Sequence, residues 1–298
     1  MEANLAKHRA RAPRARGAGH AAVRRACAPG AIVAMAAFAA MASAQPVAVV
    51  TDVTGAVASS AGGPIAILAS VSAGERLRLA PASRVALLYY GDGAQYDARG
   101  AGEVVVEASK PRAESGAFVE PRRDSATPAV RLRTADVAQG AIVMRNLGLR
   151  VVAPEAQVYS LRPELAWTDS RTEATYEVAL LDATGRPVYE TTTRERSAAL
   201  PDHVALVPGA SYALQVTARV RAAVAQVARA EFRIAPADLR ERADALAPGR
   251  PAAAIADRVA YALWLEQNEL PDEARRWWRD LARVRPHDDA LRRRAGGR

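Results

Sequence analysis

The apolar residues of this chain change period at Pro236, and that switch divides the fold in two. Before it, short apolar runs alternate with period two: Arg76–Leu79 and Ala174–Leu180 read as half-buried strands. Val85–Tyr90 is apolar on both faces, the pattern of a central strand. After Pro236 the spacing becomes helical. Leu239, Ala243 and Leu246 line a first helix that ends at Pro248-Gly249. A second opens at Pro251, with Ile255, Val259, Ala262 and Leu265 on one face. A third starts at Leu270-Pro271-Asp272, carries Ala274, Trp278, Leu281 and Val284, and ends at Pro286. The expected class is mostly β with a three-helix C-terminal tail over residues 236–298.

The opening residues read as an address rather than as part of the fold. Seven Lys/Arg between Lys7 and Arg25 precede the apolar run Ala31–Ala42, and Ala42-Ser43-Ala44 follows before Gln45-Pro46. A basic region, a short apolar region and an A-x-A site make an export signal over residues 1–44, cut between Ala44 and Gln45. The run of twelve apolar residues is too short for a span, which needs about 20. Arg24-Arg25 leaves the twin-arginine route open, although Cys27 stands where that signal carries a large apolar residue.

Export changes the bulk arithmetic. Residues 1–44 hold seven of the 41 basic residues and one of the 32 acidic ones, so removal takes the net charge from +9 to +3. A basic surface for nucleic acid is then not expected. The single cysteine, Cys27, leaves too, so disulfides are not expected in the exported chain, and Cys27 precedes the apolar run, where it cannot serve a lipid anchor.

Residues 45–107 form a first β module. Pro46–Val53 is a strand ended by Thr54-Gly55, and Gly91-Asp92-Gly93 follows Val85–Tyr90 as a tight turn, with no helix start behind it that could hold a phosphate. Val53–Val57, Ser72–Leu77, Ser83–Leu87 and Asp92-Gly93 resemble a FecR-type periplasmic β domain. FecR proteins couple a periplasmic signal to a membrane helix and a sigma factor. This chain is expected to retain no membrane span, so the resemblance implies the domain and not that signalling role.

Residues 108–128 are polar and hold three prolines, which reads as a connector; Arg122-Arg123 within it reads as a solvated charge pair. Val130–Arg133 and Ala141–Met144 return to strand character and lead into a second β module, 129–235. There Trp167 lies on an early strand after Pro163, and Tyr212 follows Leu206-x-Pro208-Gly209. This order resembles a fibronectin type III-like sandwich. The resemblance implies that Trp167 packs between sheets and that the Tyr212 hydroxyl returns to upstream backbone as a tyrosine corner. Trp167, Tyr176, Tyr189 and Tyr212 are read as core and sheet-face residues rather than as a carbohydrate platform. Arg219–Ala230 fits a strand, but Val220, Ala223, Val224 and Val227 also fit helical spacing.

In the tail, Ala262, Ala274, Trp278 and Pro286 resemble one tetratricopeptide-type hairpin. A single such unit cannot bury both its faces. Tyr261, Trp264 and Trp277 lie to the side of its core face and are the candidate partner contact, with packing against the preceding β module as the alternative. Arg292–Arg298 reads as a frayed, solvated end.

Chemistry is sparse. Beyond residue 44 only His203 and His287 remain, in different modules, and no metal-ligand spacing, nucleophile elbow or phosphate loop accompanies them. No cofactor is expected. The reading is an exported, periplasmic or secreted, non-catalytic binding or scaffold protein of the cell envelope, with an envelope protein or glycan as partner and its oligomeric state open. A sensory module in envelope signalling and a glycan-acting hydrolase are the alternatives; the latter would need a carboxylate pair assembled in space.

Overall fold

The computed structural model describes residues 45–60, 62–122, 148–249 and 253–296. The export signal with Ala44, the end of the expected connector from residue 123, the strands expected at Val130–Arg133 and Ala141–Met144, and Pro251 lie outside the described residues. The described residues belong to one compact unit. The class is mostly β with C-terminal helices, and the described strands form four sheets.

The first module is a sandwich of two sheets. One has the order β3 (Ser70–Ser72), β1 (Pro46–Thr54), β5 (Arg84–Tyr89), β6 (Gln95–Arg99), β9 (Phe118–Pro121). The other runs β2 (Val57–Ser59), β4 (Arg76–Leu79), β7 (Gly102–Val106), β8 (Pro111–Glu114). Ala48, Val50, Leu77, Leu79, Val85, Leu87, Tyr89, Val104 and Val106 fill the space between them. Gly55 is required where β1 ends: its φ is +77°, and a Cβ there would lie 2.5 Å from Ser83 Oγ, which accepts from the Ala56 N–H at 3.0 Å.

The connector expected at 108–128 is corrected by β8 and β9. Both are edge strands, and their prolines stand at the first residue of β8 and the last of β9. Those are places where a missing donor costs no ladder bond. Arg122, expected to be solvated, is mostly buried; its N–H donates to the Gln95 carbonyl at 2.9 Å.

The second module is also a two-sheet sandwich. A three-stranded sheet has the order β10 (Arg150–Ala153), β12 (Leu165–Thr168), β15 (Ser197–Ala198). The facing sheet runs β11 (Ala156–Val158), β17 (Ala223–Ile234), β16 (Ser211–Val220), β13 (Thr175–Asp182), β14 (Pro187–Thr193). All pairings in it are antiparallel except β11 with β17, which are parallel. Trp167 is fully buried and meets Tyr176 edge-on at 5.4 Å. The Tyr212 hydroxyl accepts from the Val207 N–H at 3.0 Å, the backbone return expected of a tyrosine corner. Arg219–Ala230 is strand, turned at Arg221 and Ala222, whose φ angles of 49° and 67° give a two-residue hairpin turn its twist.

The tail holds α1 (Ala237–Leu246), α2 (Ile255–Gln267), α3 (Pro271–Val284) and α4 (Asp289–Arg294). The fourth helix covers residues expected to fray. Asp288 caps it, accepting from the Ala290 and Leu291 N–H groups at 3.0 and 3.2 Å, and Leu291 is buried.

Candidate functional site

The tail shares its core with the first module. Antiparallel register puts Val50 opposite Leu87 and Val49 opposite Leu88, so the first pair faces the sandwich interior and the second faces outward. Val49, Leu88, Tyr90 and Ile67 join Leu239, Ala243, Val259, Leu263, Trp277 and Leu281 in one apolar cluster. This explains why β5 is apolar on both faces. It also explains α2, which is buried nearly all round rather than on a single stripe.

Tyr261, Trp264 and Trp277, the candidate partner contact, are 3%, 5% and 3% exposed. The structure corrects that assignment. Tyr261 stacks on Trp264 with centroids 6.0 Å apart and meets Trp277 edge-on at 4.9 Å. Its hydroxyl donates to the Ala243 carbonyl of α1 at 3.0 Å. The second and third helices alone show a side stripe; α1 and the outer face of the first module cover it.

Charged groups lock these surfaces together. Arg84 donates to Asp97 at 2.8 and 2.9 Å. Arg122 donates from one nitrogen to Asp97 at 3.0 and 3.2 Å and from the other to Asp257 of α2 at 3.0 Å. The four form an alternating chain across the interface. Burial pushes the Asp257 carboxyl above the usual aspartate range, outweighing the attraction of Arg122. Nearby, Arg285 donates to Asp52 at 3.0 Å and to the Val53 carbonyl at 3.2 Å.

The tail is tied to the second module as well. Gln157 Nε2 donates to Asn268 O at 3.1 Å and Arg240 Nε to Tyr159 O at 2.9 Å. The Arg240 guanidinium lies 5.3 Å from the centre of the Tyr159 ring, and the Tyr159 hydroxyl donates to Asp244. Burial, then that bond, pushes the Tyr159 phenol up to about 12.

Where α3 meets the second module lies a cleft of about 180 Å³, lined by Ala153, Val158–Ser160, Pro163 and Glu164 on one wall and by Asp272, Glu273, Arg275, Arg276 and Arg279 on the other. Asp272 pairs with Arg275 at 2.9 Å and Glu273 with Arg276 at 3.1 Å. No local pattern in the sequence joins these residues, because more than 100 positions separate the walls and neither carries a motif.

Ala44 of the expected cleavage bond is outside the described residues, while Gln45 is exposed immediately before β1. Trp167 and Tyr212 occupy the structural places expected of them. Among the described residues no group of three His, Cys, Asp or Glu could hold a metal ion, and no helix is long and apolar enough to cross a membrane.

A scan against protein-family models and a search of curated proteins each find no match. Among solved structures the chain is similar to FN3tt, at 14% identity and TM-score 0.22, over 29% of this chain and 90% of that one. It is similar to the BSP domain of a biofilm associated protein at 9% identity and TM-score 0.22, over 64% of this chain and 25% of that one. An extracellular domain assigned to a one-component system of B. thetaiotaomicron matches at 7% identity and TM-score 0.24, over 56% of this chain and 29% of that one. The chain thus spans well under two thirds of the length of these last two.

Proposed function

We propose that this protein is an exported, non-catalytic scaffold of the cell envelope that presents its surfaces at fixed angles to a protein or glycan partner. The shared core carries this reading. Both sandwiches are bound to one helical wedge, by apolar packing on one side and by Tyr159, Arg240 and Gln157 on the other. Interfaces within a chain are mobile by default unless large and hydrophobic, so a buried wedge of this kind favours rigid presentation. The export reading is supported by the residues before Gln45. A FecR-like identity for the first module, a fibronectin type III-like identity for the second and a tetratricopeptide-like origin for α2 and α3 belong to the same proposal. The tyrosine corner supports the second of these, and the burial of Ala262, Ala274 and Trp278 in one cluster supports the third.

Fractionation of cells expressing the tagged full chain, followed by crosslinking in the envelope, tests the reading. Recovery outside the cytoplasm with a reproducible crosslinked partner is expected. Retention in the cytoplasm, or turnover of an envelope substrate by the purified protein, would overturn it.

A further inference from the structure

We infer that the cleft between the second module and α3 binds a small zwitterion, a free α-amino acid or short peptide, whose carboxylate meets Arg279 and whose ammonium meets Glu164. This goes beyond the scaffold reading, which stands whether or not the cleft takes a ligand. Six charged residues line the cleft, and four of them neutralise one another as Asp272 with Arg275 and Glu273 with Arg276. Arg279 and Glu164 are left over. Arg279 makes one hydrogen bond, from Nε to the Arg275 carbonyl at 3.4 Å, and pairs with no carboxylate among the described residues. Glu164 has no ion pair there either. One group of each sign on opposite walls, not bonded to one another, is complementary to a molecule that carries both charges. A lone anion or cation would satisfy only one of them.

Size and surroundings agree. A cleft of about 180 Å³ has room for roughly six waters, well below the several hundred Å³ of drug-sized sites, which suits an amino acid or a short peptide. Ala153, Val158 and Pro163 offer an apolar floor for a small side chain. The Ser160 hydroxyl oxygen accepts from the Arg162 N–H at 3.1 Å, which leaves its own proton to donate to a carboxylate. The walls are held in register by Arg275 on Glu155 at 2.9 Å and by the Gln157 bond to Asn268, so little ordering is needed on binding.

Titration of the purified protein with L-alanine, L-alanyl-L-alanine, acetate and methylammonium, followed by amide chemical shifts, tests this. Saturable binding of at least one zwitterion is expected, with shifts at 153–164 and 272–279. Each of Arg279→Gln and Glu164→Gln, both exposed positions, is expected to weaken it about tenfold or more, and the single-charge probes to bind about tenfold or more weaker. The inference is overturned if neither zwitterion binds saturably in the millimolar range. It is equally overturned if binding survives both substitutions, or if acetate or methylammonium binds as tightly as the zwitterion.

Discussion

Trp277→Ala separates an aromatic that holds the tail down from one that greets a partner. Trp277 is 3% exposed and meets the Tyr261 ring edge-on at 4.9 Å. Truncating a buried tryptophan to alanine costs about 3–5 kcal/mol, and about 0.5–1.5 kcal/mol of that is the specific aromatic pair. Tyr261 would then lose the ring that positions it against Trp264 and against the Ala243 carbonyl. Total stability for such a chain is about 5–15 kcal/mol, so the loss is about a fifth of it or more. At about 2–4 °C per kcal/mol for a chain of this size, the melting midpoint should fall by roughly 10 °C. Urea unfolding followed by far-ultraviolet circular dichroism gives the number. A loss below about 0.5 kcal/mol, the range of surface substitutions, would refute the reasoning and return Trp277 to the role of an exposed contact.

Other substitutions probe separate parts of the account. Tyr212→Phe removes the acceptor of the Val207 N–H and should cost about 1–2 kcal/mol in urea unfolding. Gly102→Ala should lower the melting temperature by several degrees, since a Cβ there would sit 1.9 Å from the Ser115 carbonyl oxygen, on backbone that must shift. Arg122→Met leaves Asp97 with Arg84 but strands Asp257. Because burial already holds the Asp257 carboxyl above the unfolded value, the folded protein takes up a proton there first as pH falls. The destabilising share of this group is full above its folded pKa and fades as pH falls through it. The variant should therefore be least stable near neutrality and regain part of its deficit in acid. A carboxyl-detected titration should place Asp257 higher in the variant than in the parent.

How far the sequence announces this structure depends on whether a pattern is local. The period switch at Pro236, the two-faced run Val85–Tyr90 and the Leu206–Tyr212 corner are all written within a few residues, and each is found where its pattern puts it. The strands β8 and β9 are hidden because their prolines look like breakers. Only sheet order shows that they lie on edges where a proline is harmless. The hairpin at Arg221 and Ala222 lacks the Asn or Gly that usually marks positive φ, which let helical spacing compete. Arg292–Arg294 masks the buried Leu291 beside it. For Tyr261, Trp264 and Trp277 the spacing tells which side of the hairpin they occupy, but not that α1 and the outer face of β1 and β5 cover that side. The cleft is illegible for the same reason: Glu164 and Arg279 line one cleft only because α3 docks on the second module.

Native-state hydrogen exchange of the purified protein tests the central claim, that the helical tail and the first β module are one folding unit with one core. The account predicts that the most protected amides of α2 and those of β1 and β5 open with the same free energy and respond equally to low concentrations of urea. Opening of α2 about 2 kcal/mol or more below those strands would contradict it, and would make the tail a separately melting appendage rather than the wedge that holds the sandwiches in place.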